Sequence, residues 1–413
     1  MSLKPRLSFI LACIFLDALG IGLIVPVLPH LIGVLAETRE SQTWWYGVIM
    51  LSYGVMQFAS APLLGALSDR IGRRPVLLGG IFGLGLMFAV PALSTSLPLI
   101  LTSRIVGGML SANMVVAQAY IADITTGFQR AAGFGKIGAT FGIGFVLGPA
   151  IGGILGQGDP RLPFMVASII TIGNFMYGLF VLPESLTQRE TRPLSLRNNN
   201  PLSAIWRLIR NKINRPLVIV LALSSLANGV MQCTWALYTE QRYGFTPLLI
   251  GLSIFALGIS ISLVQGWGLQ RCILRYESSR ITIAALAIGA TSLLGIALSP
   301  WGILSAIFCC FYAISGAVGP LLTGAISRRS NMQEQGITIG AVSSMNSLMG
   351  AIAPALGTPL LLYASTNTNS VTAGAPYFAC ALLMTVALAC FIVWTQPSSQ
   401  TPEYTTDTLD SQE

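Results

Sequence analysis

Gly65-Ala66-Leu67-Ser68-Asp69-Arg70-Ile71-Gly72-Arg73-Arg74-Pro75 packs four charges and two glycines into eleven residues. Apolar runs flank it on both sides, at roughly 44–66 and 75–94. Each is long enough to cross a bilayer, which takes about 20 mainly apolar residues. The segment therefore reads as a tight charged turn between two membrane helices. Its glycines allow a sharp reversal and close helix approach. Asp69, among arginines at a helix end, can pair with them or with the positive end of a neighbouring helix dipole.

Beyond this turn and its flanks lie ten more apolar runs, at roughly 8–30, 98–120, 135–157, 163–183, 215–238, 247–270, 280–299, 301–325, 336–362 and 375–396. Composition agrees, with 53% hydrophobic and 9% charged residues against about 25% charged in a soluble domain. A soluble fold could not hide that much apolar surface; lipid can face it directly. The net charge of +8 does not point to nucleic acid, because the basic residues sit in short runs between apolar stretches without an aromatic-basic patch. The first run follows the basic start at once and exceeds the 7–15 residues of a signal-peptide core, so it reads as an uncleaved helix.

Placing the N-terminus in the cytoplasm puts 19 of the 23 lysines and arginines on the cytoplasmic side. Only Arg39, Arg161 and Arg242 then fall outside, and Arg104 lies within a span. This asymmetry predicts both termini inside. The expected organisation is a six-helix half at 1–183, a cytoplasmic linker at 184–214 and a second six-helix half at 215–396. The linker's basic amphipathic piece, 205–215, is expected on the membrane surface, and the acidic tail at 397–413 is expected to be disordered. Two offsets suggest duplication. Gly65, Arg70 and Arg74 meet Gly266, Arg271 and Arg275 at 201, and Pro149 and Gly152 meet Pro354 and Gly357 at 205. Parallel repeats of this kind are one transporter architecture.

Asp17 is the one acid well inside a span, and Arg104 the one deep base. An ionised Asp there costs about 2.5–3.5 kcal/mol on insertion scales, so it must face a cavity or a partner. Asp17–Arg104 is the obvious candidate pair, either as a proton site tuned by the guanidinium or as a structural buried pair. Tyr53, Gln57, Asn113, Gln118, Asn174, Asn228, Gln232, Trp235, Gln265 and Asn346 are polar or amphipathic residues within spans. They form the candidate substrate pocket, or else serve as interhelical glue. His30, the only histidine, ends the first run and is more simply an incidental exposed residue than a proton carrier. The seven cysteines show no CxxC spacing and read as ordinary core or lipid-facing residues. No metal cluster, phosphate loop or nucleophile–base pair is legible, so neither a metal, a cofactor, ATP nor enzyme chemistry is expected.

The loop resembles the signature of the major facilitator superfamily between helices two and three, with Gly65, Asp69, Arg70, Gly72, Arg73 and Arg74 filling its fixed positions. Gly142-Ile143-Gly144-Phe145-Val146-Leu147-Gly148-Pro149-Ala150-Ile151-Gly152-Gly153 resembles the antiporter motif of drug/proton exporters. Leu101-Thr102-Ser103-Arg104-Ile105-Val106-Gly107-Gly108 resembles the family's intramembrane arginine motif. Together with the surroundings of Asp17, these are similar to the twelve-helix drug/proton antiporters, and among them to the tetracycline efflux branch. The resemblance implies a twelve-helix alternating-access fold and proton-coupled export of a small organic molecule, with the protein embedded as a monomer in a bacterial inner membrane. It implies proton coupling through Asp17 and Arg104. It also implies a latch of Asp69, Arg70, Arg73 and Asp123 that clamps helix two against the fifth and eleventh helices when the outside is open. Three features of the tetracycline branch are missing: Met87 stands where a helix-three acid is typical, Ile261 where a histidine is common, and 281–298 is uncharged. A siderophore, a metabolite or another drug therefore suits the sequence as well. A facilitator or importer without proton coupling, and more distantly a non-transporting receptor, are the other readings.

Overall fold

The computed structural model describes residues 7–111, 113–186, 201–329, 335–366 and 372–395. These residues are all-helical with no strand among them, and twelve helical stretches are long and apolar enough to cross a membrane. The acidic tail at 397–413 and residues 187–200 of the linker lie outside the described residues.

The first expected run is two helices, α1 (Leu7–Ile24) and α2 (Leu28–Leu35). Pro26 has no N–H to continue the ladder, and the bonds at the break, Val25 N–H to Gly22 O and Val27 N–H to Ile24 O, skip only three residues. The charged turn joins α3 (Arg39–Ile71) to α4 (Arg73–Leu93). Thr38 caps α3, its hydroxyl accepting from Ser41 N–H. The fourth run breaks into α5 (Leu97–Leu110) and α6 (Asn113–Ile124), where the Ser111 hydroxyl donates back to Gly108 O. α7 (Gly127–Leu155) and α8 (Leu162–Val181) complete the first six spans.

α9 (Pro201–Arg210) ends earlier than the 205–215 segment expected from the sequence, because 211–214 turns before α10 (Arg215–Tyr243) begins. It buries Ile205 and Leu208 and leaves Leu202 and Trp206 exposed. Gly244, at φ 67°, closes α10 with its N–H on Glu240 O and that of Phe245 on Thr239 O. The eighth span is interrupted: α11 (Pro247–Leu263) passes through a π-helical turn, Val264–Gly268, into α12 (Leu269–Arg275). α13 (Ser278–Leu298) follows, then α14 (Gly302–Tyr312) and α15 (Val318–Arg328) on either side of a 3-10 turn. α16 (Gln335–Thr366) and α17 (Ala375–Thr395) are the last.

The first six spans pack among themselves, α1 on α7 and α8, and α4 on α8. The last six do likewise, with α10 on α16 and α17 and α13 on α17. The two sets meet along α3–α16 and α7–α11, with α2 touching α10. These junctions lie toward the end remote from the basic loops. There Gly47 abuts Thr358, and Gly153 abuts Pro247 and Leu248. At the basic end, Gly135, Gly138 and Gly142 of α7 and Gly340 of α16 face open space, and every residue from Gln270 to Tyr276 is exposed. The sets are closed at the remote end and splayed at the basic one.

Candidate functional site: a single-acid cavity above a charged latch

The antiporter glycines set the geometry around Asp17. Gly144, Gly148 and Gly152 recur every four residues and so share one face of α7, which presses on α1. A Cβ on Gly144 would stand 2.7 Å from Phe15 O, and one on Gly152 only 2.0 Å from Leu23 O. The motif also serves a second interface. Gly153 would meet Pro247 O at 2.6 Å, and a Cβ on Gly251 of α11 would meet Pro149 O at 2.2 Å. One short stretch therefore holds α1 against α7 and joins the two sets of spans.

Beside this crossing is a cavity of about 350 Å³. Asp17 lies in its wall, with Tyr53, Gln57, Ser111 and Asn113 as the polar neighbours. Ile14, Ile21, Ile81 and Met114 supply apolar wall, and Phe141 and Phe145 stack at 5.9 Å beside them. Asn113 Nδ2 donates to both Asp17 oxygens at 3.4 Å.

The expected Asp17–Arg104 ion pair does not form. Arg104 is buried, with its guanidinium 5.5 Å from the Phe88 ring centroid and 5.6 Å from that of Phe164. Its Nε and one terminal nitrogen have no hydrogen-bond partner among the described residues. The rings supply a cation–π environment in place of a carboxylate. Asp17, in turn, is held by Asn113.

The structure separates the polar residues expected in the pocket. Of the candidates, Tyr53, Gln57 and Asn113 line the cavity. Trp235 is buried elsewhere, its indole N–H donating to Ser253 Oγ at 2.8 Å. Gln265 donates to Gly316 O and Asn174 to Cys13 O, so both are glue between helices. Asn346 accepts from Ser225 Oγ and Asn228 from Tyr312 Oη. Gln118 and Gln232 are exposed and do not line this cavity.

The charged loop forms a compact network at the basic end. Arg73 pairs with Asp69 one turn back and with Asp123 at 3.1 Å, and donates to Ser68 Oγ at 2.7 Å. Gly72 has φ 115°, a region that side chains rarely adopt, and a Cβ there would stand 2.3 Å from Glu184 Oε2. Glu184 was not singled out from the sequence. Its carboxylate accepts from the N–H groups of Arg73 at 2.9 Å and Arg74 at 3.2 Å, which start α4. A carboxylate at a helix N-terminus satisfies orphan donors and meets the positive dipole end. Ser185 adds a hydroxyl bond to Asp123 at 3.0 Å. Gly65 meets only Val115 at ordinary contact distance, and Arg70 stays exposed. Arg74 turns away to Leu179 O. This network ties α3, α4, α6 and the end of α8 together, and its described bonds do not reach α7 or α16.

His30 is not incidental. It lies beyond the first span on α2, half-buried, with Nδ1 3.2 Å from Glu240 Oε1 of α10.

The sequence model of the Major Facilitator Superfamily matches residues 10–354. The class C tetracycline resistance protein of Escherichia coli is 34% identical over 92% of this chain and 96% of its own length. The class B tetracycline resistance protein of Escherichia coli is 30% identical over 83% and 84%. Among solved structures, a variant of the nucleoside transporter NupG matches with a TM-score of 0.76 over 94% of this chain and all of its own, at 14% identity, a likeness of fold alone.

Proposed function

Because this chain belongs to the major facilitator superfamily, we propose that it exports a small, largely apolar organic molecule from a bacterial cell in exchange for protons. The observation that carries this reading is Asp17, an acid lining a cavity whose other polar groups are neutral. Asn113 steadies the carboxylate without neutralising it. A proton and a substrate donor would compete for it, so binding one releases the other.

The basic end is read as cytoplasmic, by the excess of lysine and arginine there. The described state then faces inward, sealed on the outside, in an inner membrane. Alternating access is the rocking of two six-helix units about the α3–α16 and α7–α11 contacts, with the latch re-pairing when the basic end closes. The monomer contains the whole site. Stacked Phe141 and Phe145 favour a planar substrate face, while Tyr53, Gln57 and Ser111 favour a hydrogen-bonding edge. The relatives named for tetracycline resistance belong to this substrate range.

The test is a panel of drug-like compounds in everted vesicles, with and without a pH gradient. Gradient-driven uptake of at least one compound is expected, and its loss in Asp17→Asn. Undiminished gradient-driven uptake by that variant would refute the coupling role.

A further inference from the structure

The two sets of spans touch at the remote end through side chains as well as backbones. His30 of α2 and Glu240 of α10, 210 residues apart, lie 3.2 Å apart. Gln241 Nε2 donates to Thr43 Oγ1 at 2.9 Å and to Gln42 Oε1 at 3.3 Å, and Tyr46 Oη donates to Cys233 O at 2.8 Å. Gln42 Nε2 in turn braces α2 by donating to Pro29 O at 3.0 Å, beside His30. Among the described residues, His30–Glu240 is the one ion-pairing contact that joins the two sets. The Glu240 side chain is 18% exposed, and its second oxygen, Oε2, is buried without a hydrogen-bond partner.

We propose that His30 and Glu240 form a second proton-binding site, separate from Asp17, whose protonation locks the remote end shut. A partly buried carboxylate with one oxygen buried and unsatisfied needs a charge beside it. An imidazolium provides that charge only when the sets are closed, because the partners sit on opposite sets. Opening the remote end parts them and leaves His30 to titrate against the medium there. Taking up a proton on the ring restores the attraction and draws α2 back to α10; no other bond is made or broken.

The surrounding charges do not compete for His30. On α3, Arg39 and Glu40 are exposed, as is Glu37 in the preceding turn, and Tyr46 is engaged with Cys233 O. On α10, Arg242 is turned to Ala297 O and Ser299 O. The hydrogen bond to Glu240 holds the imidazole above its ordinary range, against a smaller opposing effect of burial. The sign follows: for a group raised by its partner, the stabilisation is complete at pH below the ordinary imidazole value and lost as pH rises through the raised one. Acid on that side closes the gate. This rests on the proposed orientation, in which the remote end faces outside. There it would let an incoming proton drive the exporter back toward the cytoplasm-open state.

The test is a distance measurement on the full chain in nanodiscs without substrate. Spin labels are placed at Val34→Cys and Leu249→Cys, both exposed near the remote end, after Cys272→Ser, Cys310→Ser and Cys390→Ser. The closed-to-open ratio is expected to rise several-fold between about pH 8 and about pH 5, and His30→Gln and Glu240→Gln should each flatten that profile. His30→Lys, a permanent cation, should hold the end closed across the whole range and shows that the site tolerates substitution. The histidine-dependent rise should persist in Asp17→Asn, so the result does not depend on coupling at Asp17. A profile that His30→Gln leaves unchanged overturns the proposal.

Discussion

Gly148 of α7 lies against Gly22 of α1 so closely that a Cβ added to Gly148 would stand 2.6 Å from Gly22 Cα. No side-chain adjustment relieves that contact, because both sides of it are backbone. Gly148→Ala must push α1 from α7 beside the Asp17 cavity. Overpacking of this kind costs about 1–3 kcal/mol. A lower melting temperature and reduced transport are expected. Gly142→Ala, where a Cβ meets open space, should leave both unchanged in the same thermal and flux assays.

Gly153 and Gly251 are different, since they hold α7 to α11 across the two sets. Gly251→Ala should loosen the remote end more than it loosens the fold. Thiol labelling of Leu249→Cys is expected to speed up several-fold in that variant. Equal labelling rates would argue against this junction as the seal.

Glu184 satisfies the first N–H groups of α4. Glu184→Ala removes that cap, and such losses cost about 0.5–2 kcal/mol. Glu184→Gln keeps an acceptor and should fall between parent and alanine. Thermal unfolding of the three proteins checks the order. Gly72→Ala should cost at least as much as Glu184→Ala, since it combines a strained φ with a collision against the same carboxylate.

Trp235 lies outside the Asp17 cavity. Trp235→Phe gives up the bond to Ser253, worth about 0.5–1.5 kcal/mol, without touching the cavity. Stability should fall while the relative rates across a substrate panel stay constant. Tyr53→Phe and Gln57→Ala, which alter the cavity wall, should change those relative rates with little effect on melting.

The spans and their number were legible because a bilayer imposes one simple demand, a long apolar run, and the described residues meet it twelve times. The charged network was legible in part, since Gly72, Arg73 and Asp69 sit in one short motif. Glu184 was not, because it reaches α4 from 110 residues away in sequence, and nothing local marks it. Its one available signal was an acid just after Pro183 at a span end. Asp17–Arg104 failed for another reason. Complementary charges in sequence say nothing about the rings between helices, and Phe88 and Phe164 took the place of the carboxylate. His30 was misjudged because its partner lies on another set of spans.

The π-helical turn at Val264–Gly268 holds one residue more than a regular turn would. Each α-helical residue advances by about 100° around the axis. Removing a single residue there would therefore swing Arg271 and Arg275 roughly a quarter turn around the axis relative to α11; Arg271 now lies 3.8 Å over the Trp267 ring. The direction in which those two arginines point is thus set by a count of residues, and a one-residue deletion in that turn re-aims them without changing either one.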